Sequence, residues 1–151
     1  MIAILRNIVG LLGGLVLGGL VNMGLIMLGP SVIPPPPGVD VTNSESIAAS
    51  MHLFEAKHFI VPFVAHALGT LVGAIAAFFI AATYRPQIAY LVGAVFLVGG
   101  IWASTIIPAP TWFIGVDLVF AYLPMAWIGA KLAGVTLSKL GVQSASTAGD
   151  A

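Results

Sequence analysis

The sequence predicts an all-α membrane protein, a bundle of four transmembrane helices with a short interfacial helix in the first external loop. Three observations predict it. Hydrophobic residues make up 60% of the 151 residues and charged residues only 7%, whereas about a quarter of a soluble domain is charged. Such a chain cannot cover itself with a water-facing surface. Its apolar residues gather into four runs, each near the roughly 20 residues that a helix needs to span a bilayer. The breaks between the runs carry proline and polar residues, where a spanning helix is interrupted. One domain, residues 1–151, is expected at this length.

The first span covers Ile8 to Leu28. A cleaved signal peptide has a shorter apolar core and a small-x-small site; "LIMLGPSVIP" offers none, so the segment reads as a retained helix. The external loop, 30–57, begins in "GPSVIPPPPGVDVTNSES". Pro34 to Pro37 favour a stiff polyproline stretch. "TNSE" then reads as a capping box, with Thr42 as N-cap and Glu45 three residues later. The helix it opens carries Ile47, Met51 and Phe54 along one stripe, which suits an anchor on the membrane surface or a lid over the bundle. The second span runs from about Phe59 to Thr83 and turns at "YRPQ". The third runs from about Ile88 to Ile107 and ends at the short link "PAP". The fourth runs from about Trp112 to Ala130, leaving a tail over 135–151.

Basic residues orient the thread. Arg6, Arg85, Lys131 and Lys139 all fall on one side of it. Asp40, Glu45, Glu55 and a single lysine, Lys57, occupy the other. The positive side faces the cytoplasm, so both termini are expected there and the long loop outside. Tyr84, Tyr90, Trp112 and Trp127 fit interfacial belts near the segment ends.

Small residues mark packing faces. Gly10, Gly14 and Gly18 recur every fourth residue, with Asn22 next on that face, and Gly69, Gly73, Ala77 and Ala81 repeat the pattern. A stripe of this kind, a glycine zipper, lets backbones approach closely where lipid removes the hydrophobic incentive to associate. The stripes serve contacts within one chain or between copies equally well.

Asp117 cannot reach water by starting the fourth helix after it. The residues from Leu118 to Ala130 would then span only about 20 Å of a core about 30 Å thick. Measured from the basic residues, Asp117 lies about 21 Å from Lys131, Asn22 about 24 Å from Arg6, and His66 and Ser104 about 28 Å from Arg85. Asn22, His66, Ser104 and Asp117 therefore form a candidate intramembrane polar cluster, one residue from each helix. Such groups fix helix register through hydrogen bonds or build a site for a small ligand or proton. His52, Glu55 and His58 invite a metal reading, but positions six apart on a helix diverge by about 120°. No metal site is assigned, and a solvated set at the membrane surface is expected instead.

The run "MHLFEAKHFIVPFVAHALGTLVGA" from Met51 to Ala74, followed by "PAPTWFIGVDLVFAYLPMAWIGAKLA", resembles small four-helix bacterial integral membrane proteins of uncharacterised activity. The resemblance covers most of the chain. It implies a multi-pass protein of the bacterial inner (plasma) membrane and carries over no activity or site residue.

Several function classes fall away. The formal net charge is zero, so nothing points to nucleic acid. Cysteine is absent, which excludes disulfides and thiolate chemistry. No phosphate loop, dinucleotide fingerprint, HExxH or nucleophile elbow occurs, and no cofactor or catalytic residue is assigned. The first reading is a non-enzymatic structural or assembly subunit, with the lipid bilayer and either its own copies or another membrane protein as partners. The second is a small oligomeric transporter or channel; the third is a membrane enzyme acting on a lipid or quinone, with His66 and Asp117 as an acid–base pair.

The topology is testable directly. Single cysteines at Ser46 and Ser146 should differ on intact cells, the first reacting with an impermeant maleimide and the second not. The reverse pattern would overturn the orientation.

Overall fold

The computed structural model describes residues 1–107 and 109–149, with side chains through 141. Pro108 of the "PAP" link and the last two residues of the tail lie outside the described residues. Among the described residues six α-helices follow one another: α1 (Ile2–Val32), α2 (Ser44–Ala49), α3 (Ile60–Ile80), α4 (Arg85–Ile106), α5 (Thr111–Phe120) and α6 (Leu123–Gly149). Short 3-10 turns at Met51–Leu53 and Ala56–Phe59 lead into α3. No strand occurs among the described residues. Four stretches among the described residues are long and apolar enough to cross a membrane: Ile2–Val32, Ala56–Ile80, Arg85–Ile106 and Thr111–Gly141.

Helix α3 is the hub, packing against α1, α4 and α6. Its partner α1 lies antiparallel to it at minimal distance. A Cβ on Gly14 would stand 2.6 Å from the Gly73 carbonyl oxygen, and one on Gly18 2.5 Å from that of Gly69. A Cβ on Gly10 would lie 3.1 Å from the Ala77 carbonyl oxygen and from the Ala81 amide nitrogen. On the other side of α3, Ala74 and Phe78 pack with Ala89 of α4 and with Ala126, Ala130 and Ala133 of α6. Small side chains thus fill the interior, while Leu12, Leu20, Met27, Val98 and Leu132 point outward. That distribution reverses a water-soluble core and suits helices surrounded by lipid. Trp102 is 70% exposed on this outer surface.

The helix ends depart from the expected limits for identifiable reasons. The "YRPQ" segment is not the turn: α3 stops at Ile80, and Arg85 and Pro86 open α4. Proline suits a first helical turn because the missing N–H has no partner there. The turn is stitched to α1. Arg6 donates from Nε and Nη2 to the Ile80 carbonyl at 3.3 and 3.1 Å, and Asn7 Oδ1 accepts from the Ala82 and Thr83 amides at 3.0 and 3.2 Å. A cation thus covers the carbonyl end of α3, which favours the helix dipole. The fourth span is not one helix. It breaks between α5 and α6 at Ala121 and Tyr122, because Pro124 cannot donate to the Phe120 carbonyl and its ring crowds that turn.

The long loop folds back over the same end of α1, α3, α4 and α5. Its N-cap is Asn43 rather than Thr42, accepting at Oδ1 from the amides of Glu45 and Ser46. Thr42 is taken by Asp40, whose carboxylate accepts from the Thr42 hydroxyl at 2.6 Å and its amide at 2.9 Å. Those two bonds hold the Asp40 carboxyl below its usual range. With the helix over after Ala49, Ile47, Met51 and Phe54 do not share one helical stripe; the chain bends to bring them onto one inward side.

Gly14 and Gly19 separate contact from composition. Gly14→Ala forces backbone apart and should cost about 1–3 kcal/mol. A Cβ on Gly19 meets nothing within 4 Å, so Gly19→Ala should be neutral or stabilising by up to about 1 kcal/mol. Reversible unfolding in mixed micelles measures both, and equal stability would mean that the stripe carries no contact.

Candidate functional site

Helices α3 and α5 each deliver one titratable side chain to a common point. His66 lies two turns into α3, and Asp117 lies two turns into α5, buried. The imidazole Nδ1 stands 2.8 and 3.0 Å from the two carboxylate oxygens of Asp117. A carboxylate only accepts, so the network assigns the proton to Nδ1. Tyr122 donates its hydroxyl to Asp117 Oδ2 at 2.9 Å, and its ring stacks on His66 with centroids 5.8 Å apart. Both donors therefore converge on one buried acceptor. The arrangement fixes the imidazole tautomer and leaves Nε2 with no hydrogen-bond partner among the described protein groups.

Tyr122 depends on the helix break. Five residues along a continuous helix would rotate it about 140° from Asp117, out of reach. The bend at Ala121 returns it to the same side. A glycine admits its ring: a Cβ on Gly100 of α4 would collide with the Tyr122 hydroxyl. Thr70, fully buried one turn below His66, donates to the His66 carbonyl at 2.8 Å.

The four polar residues expected from the sequence are not equivalent. His66 and Asp117 are bonded. Asn22 of α1 lies near them, its Cβ against Gly69, and its buried Oδ1 has no hydrogen-bond partner among the described residues. Ser104 stays on its own helix, donating to the Ile101 carbonyl at 2.7 Å. Nothing in the sequence reading marked Tyr122, Thr70 or Gly100, although a tyrosine two residues before a proline was the available signal.

His66 and Asp117 line a cavity of about 660 Å³ between the helices and the loop. Its walls are mostly apolar, including Met23, Ile26, Val61, Phe113 and Leu118. From the loop side, Val41, Ile47, Met51 and Phe54 face the same space. Aromatic contacts tie the loop down: Phe59 packs on Phe113 at 4.8 Å and on Trp112 at 5.6 Å, with Phe54 at 6.2 Å. A second cavity of about 250 Å³ lies behind His66, lined also by Asn22, Thr70 and Tyr122. His52, Glu55 and His58 form no metal cluster among the described residues; His58 Nδ1 instead accepts from the Glu55 amide at 2.8 Å, closing the turn before α3.

What this arrangement can do chemically is specific. An imidazole oriented by a carboxylate offers Nε2 as a hydrogen-bond acceptor or base, and mostly apolar walls beside it strengthen polar contacts. No family model, curated protein or solved structure matches the chain.

A double-mutant cycle tests the network. Tyr122→Phe alone should cost about 1 kcal/mol by deleting one hydrogen bond. With Asp117→Ala already present, the hydroxyl has lost its acceptor, and the cost should fall by at least about 0.5 kcal/mol. Strict additivity would show that the two side chains do not interact.

Proposed function

We propose that this chain is a multi-pass protein of the bacterial inner membrane, both termini cytoplasmic, that binds a small amphipathic molecule in the cavity beneath its long loop. One observation carries the reading: an apolar cavity of about 660 Å³ that meets a hydrogen-bonded His66–Asp117 pair. Ligand pockets of roughly 300–1,000 Å³ with apolar walls and a few convergent polar groups are the common form of small-molecule sites. The molecule's apolar part rests against Met23, Val61 and Phe113, and its polar head meets His66.

Passage across the membrane is less well supported. Below Thr70, α1 and α3 meet backbone to backbone at Gly14 and Gly73, which favours a pocket closed at that end. An acid–base role for His66 stays compatible with binding, since the Asp117 contact orients the ring as a base requires.

Ala103 lines both cavities, and Ala103→Phe fills them. Native mass spectrometry of protein released from a mild detergent should show an amphiphile retained by the wild type, with occupancy about tenfold lower in the filled variant at matched thermal stability. Equal occupancy in both would sink the binding reading. A co-purified membrane protein with no bound amphiphile would instead favour an assembly subunit.

A further inference from the structure

The end of the bundle away from the cavity carries charge that the described residues do not balance. Helix α3 stops at Ile80, and the carbonyls at its end need donors from elsewhere. Arg6 of α1 donates to the Ile80 carbonyl from Nε and Nη2 at 3.3 and 3.1 Å. Arg85, the first residue of α4, folds back and donates from Nε to the next carbonyl, that of Ala81, at 3.0 Å. Tyr84 turns the chain for this return, with a left-handed φ of 51° just before α4 begins. Two guanidiniums are thereby anchored on the carbonyls of successive residues.

Much of each fork stays unused. A guanidinium has five N–H donors; Arg6 directs two nitrogens at one oxygen, and Arg85 uses Nε alone. Nη1 of Arg6 and both Nη atoms of Arg85 have no hydrogen-bond partner among the described residues. The ion pairs among the described residues join Lys57 to Glu55 and His66 to Asp117, so neither arginine has a counter-charge there. The described carboxylates, Asp40, Glu45, Glu55 and Asp117, belong to the long loop and to α5. A helix carbonyl end offers about half a negative charge, against two positive charges at this turn.

We infer that Arg6 and Arg85 form a binding site for an anionic phosphate group at the turn between α3 and α4. The site is separate from the amphiphile cavity and rests only on the multi-pass reading. A planar guanidinium edge matches phosphate oxygens in pairs. Backbone anchoring already restricts both side chains, so less freedom is lost when the anion arrives. The turn joins two helices of membrane-spanning length, and in a bilayer such a turn lies at the depth of the lipid phosphates. Basic pockets between spanning helices hold anionic head groups in this way. The same chemistry accepts a phosphate from a phospholipid head or from solution.

The test uses the full chain in phosphatidylcholine nanodiscs doped with one of two photoreactive lipids, a phosphatidic acid or a phosphatidylcholine. Each carries a diazirine near the head in one acyl chain, and labelled peptides are mapped by mass spectrometry. Both should mark the outward residues Leu12 and Val95; absence of both labels there would overturn the multi-pass reading and the site with it. The phosphatidic acid should label Ile2 to Val9 and Tyr84 to Leu91 at about tenfold lower mole fraction, the worth of one charge-assisted hydrogen bond. Arg85→Gln should reduce that preference severalfold, whereas Lys139→Gln, the same loss of charge on another helix, should leave it. Inorganic phosphate exchanged for chloride at constant ionic strength identifies the source. A preference that survives belongs to the lipid head, and one that disappears belongs to phosphate from solution. Equal labelling of the turn by both lipids would overturn the site and leave the multi-pass reading standing. So would an equal preference along α6 beside Lys131 and Lys139, which marks a generally basic face. Both outcomes are read in the wild type, so they decide the matter even where Arg85→Gln does not fold.

Discussion

The approach of α1 to α3 sets the spacing of the whole molecule. At Gly14 against Gly73 and Gly18 against Gly69 there is no room for even one Cβ, so carbonyl oxygens of one helix lie against the Cα atoms of the other, a contact that recurs at helix interfaces. That contact locates Asn22 one turn beyond Gly18, on the face that meets Gly69. Arg6 and Asn7 lock the opposite end by holding the turn after α3. With α3 clamped along its length, His66 has a fixed depth and direction from which the rest of the site is built.

The second determinant is a deliberate interruption. In a continuous fourth span, Asp117 would meet His66 alone, and Tyr122 would face away. Pro124 ends that continuity, and the bend moves the Tyr122 hydroxyl to 2.9 Å from Asp117. The backbone ladder closes on either side of the break: the Ala121 amide donates to the Asp117 carbonyl and the Ala126 amide to the Tyr122 carbonyl, both at 2.9 Å. Broken helices are tolerated inside apolar surroundings where neighbouring helices and side chains re-satisfy the backbone. Here the break also places its polar residues beside a cavity.

The loop completes the enclosure. Its apolar side chains face inward, and the aromatic chain from Phe54 through Phe59 to Phe113 joins it to α5. Its polar bonds, Asp40 to Thr42 and Asn43 to Glu45, are local and exposed. Short-range hydrogen bonding therefore shapes the loop, while burial of Ile47, Met51 and Phe54 decides where it rests. Movement of the loop would open the cavity without disturbing the α1–α3 contact, because the two share no residues.

By itself the sequence determined the helical class, the four apolar segments and the two small-residue stripes. These follow from composition and periodicity, which act locally. It also singled out His66 and Asp117, because a polar side chain in an apolar run has few ways to be satisfied. Only the tertiary structure decided that they bond to each other, that Tyr122 joins them and that Ser104 does not. Those outcomes turn on a bend of the chain at Ala121 and on the rotation of each helix about its axis, and neither is legible in a single strand of residues. The capping shift from Thr42 to Asn43 has the same origin at smaller scale: two adjacent residues were both competent caps, and the competing bond from Thr42 to Asp40 chose between them. Arg6 carries the same lesson. As a charge it marks a side of the thread, but its bond to the Ile80 carbonyl joins residues 74 positions apart, a contact that only the folded packing of α1 on α3 creates.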